Sequence, residues 1–176
     1  MSKAPIESPE VSVLDAFLSG QAVRVQEYLG AHPDQVDGQA GYRFRVWAPH
    51  AKAVGVMGDF NGWNQLSHLL DPVGSGVWEG FIPGLQQCDT YQFSIEARDG
   101  RVLAKADPYA FHAETRPGNA SKLYDLSGYQ WGDESWLKYR KEHPVYHSPL
   151  NIYEVHLGSW RRTGEDQTLS YREMAD

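Results

Sequence analysis

The pattern of apolar and polar positions changes its period once along the chain. Apolar residues recur at helical spacing over 11–18 and again over 24–29, and a glycine follows each segment. Ser12 stands where a helix N-cap is expected. We therefore predict a short helical lead-in over residues 1–35, with a loop at His32-Pro33.

Short apolar runs with a period of two begin near residue 42, and turn residues separate them. These runs cover residues 42–48, 53–60, 77–82, 91–97 and 101–104. In the fourth run Tyr91, Phe93 and Ile95 fall on one face, and the Asp99-Gly100 pair after it is typical of a hairpin turn. The pattern predicts a mainly β fold, an immunoglobulin-like antiparallel β-sandwich over residues 36–115.

The alternation disappears over residues 116–149, which are rich in proline, glycine and aromatic residues. We interpret this segment as an interdomain connector with one helical turn at 136–141. Residues 150–157 are β-branched and aromatic, as in a strand, and Ser170 with Glu173 forms a capping box that starts a helix. A strand, a loop and a helix predict that residues 150–176 open an α/β domain.

Composition and charge narrow the classes of function. The chain has 176 residues, of which 41% are hydrophobic, so it can bury a core. Its 16 basic and 23 acidic residues leave a net charge of −7, which argues against nucleic-acid and anionic-membrane partners. The single cysteine, Cys88, forms no disulfide within the chain, and the N-terminus lacks the pattern of a signal peptide. We expect a cytoplasmic protein.

Trp63 is the residue that most suggests binding chemistry. It follows a strand on the turn 58–64, where an exposed indole can stack on the apolar face of a sugar. The alternative is packing within its own domain. Trp47 and Trp78 lie inside strand runs, and for both we expect packing in the core or between domains. His143 and His147 have i, i+4 spacing, but Pro144 breaks a continuous helix between them. We therefore expect no metal site and no cofactor.

Several strings resemble the bacterial glycogen branching enzymes, in order and at similar spacing. The strings are residues 28–33, 44–49, 58–63, 105–111 and 152–162. The resemblance covers roughly residues 28–176. It implies a family-48 carbohydrate-binding module over about 36–115. Residues 150–176 would then be the first strand and the start of the first helix of the α-amylase-family (β/α)8 barrel.

The resemblance also implies an activity for the longer protein. Enzymes of this family cut an α-1,4-glucan and transfer the piece to a 6-hydroxyl, which makes an α-1,6 branch through a covalent glycosyl-enzyme. Their catalytic Asp, Glu and second Asp lie on later barrel strands, so we expect no catalytic residue in this chain and no activity from it alone. The expected partner is α-1,4-glucan or glycogen, and the full-length protein is expected to be a monomer.

The sandwich is also similar to the glycogen-binding module of the energy-sensing kinase's β subunit, in which a Trp, a Lys and a second Trp hold the glucan. Trp63 matches the first Trp, and Asn61 lies beside it on the same turn. Gln92 occupies the Lys position, and the segment 101–103 lacks the second Trp. Trp63 and Asn61 are therefore the candidate glucan-binding residues. Bracing of the barrel is the alternative role for the module.

Two other readings of the chain remain open. Glycogen debranching enzymes and maltooligosyl-trehalose hydrolases carry the same sandwich before the same barrel, but the string 157–162 favours a branching enzyme. The second alternative is a stand-alone, non-catalytic glucan-binding module. Residues 150–176 argue against it, because a binding module alone has no use for a barrel strand and a capped helix.

Overall fold

The computed structural model describes residues 9–147, 149–164 and 167–176, and it divides the chain into two compact units, Met1–Gly128 and Tyr129–Asp176. The described part of the first unit contains one α-helix and nine strands. They are α1 (Pro9–Leu18), β1 (Gly30–Val36), β2 (Gln39–Trp47), β3 (Ala51–Gly58), β4 (Asp71–Gly74), β5 (Val77–Pro83), β6 (Thr90–Ala97), β7 (Val102–Lys105), β8 (His112–Ala113) and β9 (Ser121–Lys122).

The strands form two antiparallel sheets. The first sheet has the order β1-β2-β5-β4, and the second has the order β3-β6-β9-β8, with β7 paired to β6. The five runs predicted from the alternation correspond to β2, β3, β5, β6 and β7, and the hairpin at Asp99-Gly100 forms with Gly100 at a φ of 84°. The predicted antiparallel β fold is confirmed.

One core fills the space between the two sheets. Inward positions of β2 and β5 meet inward positions of β3 and β6 in a single buried cluster. The Phe44 ring lies edge-on to Tyr91 at 5.2 Å and to Phe93 at 6.5 Å between ring centroids. Such edge-to-face pairs add to the free energy gained by burying the rings.

The segment before residue 36 differs from the prediction. The helix α1 begins at Pro9, so the prediction of Ser12 as its N-cap is wrong; proline suits the first helical position because its missing N–H needs no partner there. The loop predicted at His32-Pro33 is also wrong. These residues belong to β1, which pairs with β2 along its whole length.

Both edge strands of the first sheet contain a proline. Pro33 lies in β1 opposite Tyr42, and Pro72 lies in β4 opposite Trp78. Proline cannot donate a backbone hydrogen bond, so in sheets it is confined to edges of this kind. Pro33 therefore led the sequence analysis to predict a loop, although an edge strand can contain it.

The helix α1 covers one end of the first sheet. Phe17 packs with the buried residues Tyr28, Leu29 and Val77. Its ring also lies edge-on to Trp47, at 5.5 Å between centroids. Trp47 is nevertheless 45% exposed, so it is not a core residue of the first unit, and its packing between domains stays a prediction.

Trp78 packs against the sandwich core as predicted, and its indole N–H donates to the Ala48 carbonyl at 3.1 Å.

The sandwich extends beyond the last run predicted from the alternation, because β8 and β9 follow residue 105 and belong to the second sheet. The strand β9 pairs with β6 although it falls within the predicted connector. Asp107 is buried, and its carboxylate accepts hydrogen bonds from the Tyr91 hydroxyl at 2.6 Å and the Tyr109 N–H at 2.8 Å. The Asp107 N–H donates to the Ser121 hydroxyl at 2.8 Å. Burial raises the pKa of Asp107, and it also raises that of Tyr91.

The second unit contains α2 (Glu134–Glu142), α3 (Leu157–Trp160) and α4 (Tyr171–Ala175). The helical turn predicted at 136–141 and the capping box at Ser170 are confirmed. The strand predicted over residues 150–157 is wrong. A strand requires a neighbour to share its backbone hydrogen bonds, and no other segment of the described chain pairs with these residues.

Candidate functional site

The candidate site is built on the loop 59–69, which leaves β3 and returns alongside it. The Val56 N–H donates to the His68 carbonyl, and the Leu70 N–H donates to the Val54 carbonyl, both at 2.8 Å. Gly55 permits this close return, because a Cβ at this position would lie 2.9 Å from the Gln65 carbonyl oxygen. Backbone bonds to β3 therefore hold the loop.

The Asn61 side chain fastens the loop from inside. Its Oδ1 accepts from the Gly58 N–H at 3.0 Å, and its Nδ2 donates to the Val56 carbonyl at 3.0 Å and to His68 Nδ1 at 2.9 Å. These bonds engage both ends of the amide. Asn61 thus holds the turn on which Trp63 stands.

Trp63 has a backbone conformation that is unusual for a bulky residue. Its φ is 60°, in the left-handed region, and its N–H donates to the Gly58 carbonyl at 2.9 Å. Conformations of this kind cost free energy and persist where the surrounding structure enforces them. The Trp63 side chain is 38% exposed, so the turn presents the indole to solvent rather than to the core.

Asp59 fixes the orientation of the indole. Its Oδ1 accepts the Trp63 Nε1–H at 2.9 Å, and its Oδ2 accepts the Thr90 hydroxyl, which links the loop to the start of β6. The bonds from Thr90 and Trp63 lower the pKa of the Asp59 carboxyl, so it is ionised at neutral pH. The result is an exposed aromatic platform held at its N–H edge.

Gln92, which the resemblance to the kinase module predicts at the position of its lysine, is buried. It is 8% exposed, and its Nε2 donates to the Asn119 carbonyl at 3.3 Å and to the Asn119 side-chain oxygen at 3.0 Å. Val102 and Leu103 are exposed at the place where the second tryptophan is missing. The lysine and the second tryptophan of that module therefore have no counterpart side chain of the same type here.

The sequence indicated Trp63 and Asn61 as candidates, and the structure places both on one loop; their contact with glucan stays a prediction. It missed Asp59, although the residue lies four positions before Trp63. Spacing alone does not show that a carboxylate reaches an indole N–H across a turn. The hydrogen bond from the Trp63 indole N–H to Asp59 forms on a turn in which Trp63 has a left-handed backbone conformation.

The histidines His143, His147 and His156 all belong to the second unit. His143 follows the end of α2, and His147 ends a separate 3-10 turn, so the expected break at Pro144 is present. His156 stands at the N-cap position of α3 without a side-chain capping bond, and its Nδ1 lies 2.8 Å from the Ser159 hydroxyl. Among the described residues, no three His, Cys, Asp or Glu side chains are grouped as metal ligands. The described chain also has no helix long and apolar enough to cross a membrane.

The loop that carries Trp63 lies in a segment that matches a known protein family. Residues 28–110 match the sequence model of carbohydrate-binding module 48, described as the isoamylase N-terminal domain. This part of the chain is therefore similar to family 48 of the carbohydrate-binding modules. The match begins before β1 and includes the loop that carries Trp63, so the candidate platform lies inside the module.

Curated relatives extend the likeness beyond the module. The chain is 45% identical over 149 residues to the 1,4-alpha-glucan branching enzyme GlgB of Bacillus mycoides, covering 84% of this chain and 23% of that protein. It is 40% identical over 169 residues to GlgB of Bacillus subtilis, covering 96% of this chain and 27% of that protein. The predicted resemblance to branching enzymes is confirmed, and the chain spans about a quarter of the length of these relatives.

A solved pullulanase from Bacillus acidopullulyticus superposes on 56% of this chain and 12% of its own. Its TM-score is 0.43 and the sequence identity is 21%.

Proposed function

We propose that the family-48 module binds α-1,4-glucan through Trp63, as part of a longer branching enzyme. The observation that carries this proposal is the indole itself, exposed by a left-handed backbone and fastened by Asp59. A rigid, flat, uncharged surface suits the apolar face of a glucose ring, and it loses little side-chain freedom on binding. Asn61 serves this site by holding the turn.

The names of the relatives support the choice of glucan. Proteins called 1,4-alpha-glucan branching enzymes are 40–45% identical to this chain over 84–96% of its length. The motif 157–162 favours the same class over the debranching and trehalose-forming alternatives. The likeness outside the module disfavours a stand-alone binding protein.

In the longer, cytoplasmic and monomeric enzyme, the module raises the local concentration of glucan. A polymer held at Trp63 stays near the rest of the protein, so a second contact becomes effectively intramolecular. The transfer itself, from an α-1,4 linkage to a 6-hydroxyl, is assigned to carboxylates elsewhere in the longer protein. The module's share is holding the glucan and bracing the barrel.

Replacing Trp63 with alanine tests the binding proposal. We expect Trp63→Ala to weaken retention by glycogen in an affinity gel by about 30-fold, the scale of a central aromatic contact. The matched control is Trp131→Ala, which removes an indole that is 72% exposed in the second unit. Equal retention of wild type and Trp63→Ala, or equal loss in both variants, contradicts the proposal.

The assignment of the transfer step has its own test. The 176-residue chain is expected to leave the iodine colour of amylose unchanged, and no new α-1,6 linkage should be seen by NMR. A fall in iodine colour together with new α-1,6 signals overturns the view that this chain only holds and braces.

A further inference from the structure

A groove on the outer face of the first sheet has no role in the function proposed above. Its volume is about 550 Å³, within the range of small-ligand sites. Its polar lining consists of Glu27, His32, Asp34, Arg43, Arg45 and Glu79. It belongs to β1, β2 and β5, whereas Trp63 stands on a loop of the second sheet.

The strand register assembles this lining. Arg43 and Arg45 alternate along β2 with the inward Phe44, and Glu79 of β5 lies opposite Arg45. Arg43 donates to Asp34 at 2.6 Å and to Glu79 at 2.7 Å, and Arg45 donates to Glu79 at 2.5 Å. Glu79 therefore joins two guanidinium groups into one network.

Aromatic rings beneath the network hold both arginines. The Arg45 guanidinium lies 4.5 Å from the centre of the Tyr28 ring, and that of Arg43 lies 5.9 Å from the centre of the Phe81 ring. The side chains of Arg45 and Arg43 are 12% and 24% exposed. The polar groups are thus fixed in place before any ligand arrives.

The charge balance indicates the kind of ligand. Arg43 and Arg45 are paired with Asp34 and Glu79, and the third carboxylate, Glu27, is paired with Arg24. An ionic ligand would therefore have to compete with existing ion pairs. Hydrogen-bonding capacity nevertheless remains. The two bonds of Arg43 use two of its five N–H groups, and each carboxylate oxygen has a second lone pair. Neutral hydroxyl groups, which both donate and accept, can add to the network without breaking it.

We propose that the Arg43–Glu79 groove is a second binding site for a neutral α-glucan segment, separate from Trp63. The choice of α-glucan rests on the proposed function, while the preference for a neutral polyol rests on the paired charges of the groove. A module with sites on both sheets can hold two glucan segments at once, or two turns of one chain. Avidity then exceeds the affinity of either site.

The test is an NMR titration of the whole 176-residue chain with maltoheptaose. The Trp63 indole N–H and the Arg43 Nε–H report on the two sites separately. Two sets of shifts are expected, each with its own Kd, and the groove curve should be insensitive to salt because the ligand is uncharged. Arg43→Lys keeps the charge but loses the planar fork, so it should weaken the groove curve about tenfold and leave the Trp63 curve unchanged.

Lys52→Arg is the matched control, since it exchanges the same two residue types at an exposed ion pair with Glu96 on the second sheet. It should alter neither curve. If only the Trp63 signals move in the wild-type chain, the second site is overturned and glucan binding stands. If only the groove signals move, the second site stands and the Trp63 proposal fails. If neither set moves, both proposals fail.

Discussion

Removing the Asp59 carboxylate separates the anchoring of the indole from the indole itself. Asp59→Ala deletes the acceptor of the Trp63 Nε1–H and of the Thr90 hydroxyl. The ring stays in the chain, and the Trp63 backbone bond to Gly58 is unaffected. We therefore expect Trp63 to remain on its turn but to sample several side-chain rotamers.

The magnitude follows from the exposure of the site and the freedom of the ring. Hydrogen bonds to charged groups contribute about 1.5–3 kcal/mol when buried, but solvent screens Asp59, so we expect about 1 kcal/mol of lost stability. Ordering one freed side chain on binding costs about 0.5–1.5 kcal/mol, which corresponds to a rise of about 2- to 12-fold in Kd for glucan. This loss is smaller than that expected for Trp63→Ala.

Calorimetry with maltoheptaose, together with a thermal melt, measures both quantities. Asp99→Ala is the matched control, because Asp99 is another exposed carboxylate with two hydrogen bonds, both to Arg101 in a hairpin turn. An affinity for Asp59→Ala within twofold of wild type, in a folded protein, refutes the anchoring argument. An affinity as low as that of Trp63→Ala refutes the separation of the two roles.

Three further results are expected. The folded-state pKa of Asp59 is lowered, so the stabilisation from its ionised carboxylate is present above the unfolded pKa of about 3.9 and is lost only as the pH falls through the folded pKa. Asp59 therefore stays ionised from pH 8 to pH 5, and the glucan affinity measured over this range should be constant. The pKa of Asp107 is raised, so its effect on the pH dependence of stability has the opposite sign. In melts from pH 3 to pH 8, wild type should lose stability relative to Asp107→Asn as the pH rises through the folded pKa of Asp107. Parallel stability curves for the two proteins contradict this. Gly41→Ala places a Cβ against the Ile82 carbonyl and 2.7 Å from the Pro83 Cα. A denaturant melt should show a loss of about 1–3 kcal/mol in the free energy of unfolding. The control Gly128→Ala, whose Cβ meets nothing within 4 Å, should lose less than about 0.5 kcal/mol.

The sequence predicted the parts of the fold in which local pattern and tertiary environment agree. The alternation of Tyr91, Phe93 and Ile95 and the turn at Asp99-Gly100 led directly to β6 and its hairpin. β9 has only two residues, so no period was available to reveal it. The run 150–157 has strand composition but no partner strand in the described chain, and composition cannot supply one.

The two surfaces differ in how far the sequence could reveal them. Trp63 is conspicuous because an indole on a glycine-containing turn is unusual, so the residue could be named before the structure. The groove depends on the pairing of Arg45 with Glu79, which are 34 residues apart. Only the register between β2 and β5 brings them together, and a single sequence does not contain that register.

Pro33 and Pro72 reduce the tendency of neighbouring molecules to associate through the edges of the first sheet. An open sheet invites the edge strand of another molecule, because its unpaired N–H and C=O groups form a ready template. Each proline interrupts that template on one side of the first sheet. Many copies gathered on one branched polymer would stand at high local concentration, where edge-to-edge joining leads to aggregation. If the module binds glucan as proposed, the prolines would allow such a population to remain separate molecules on the same polymer.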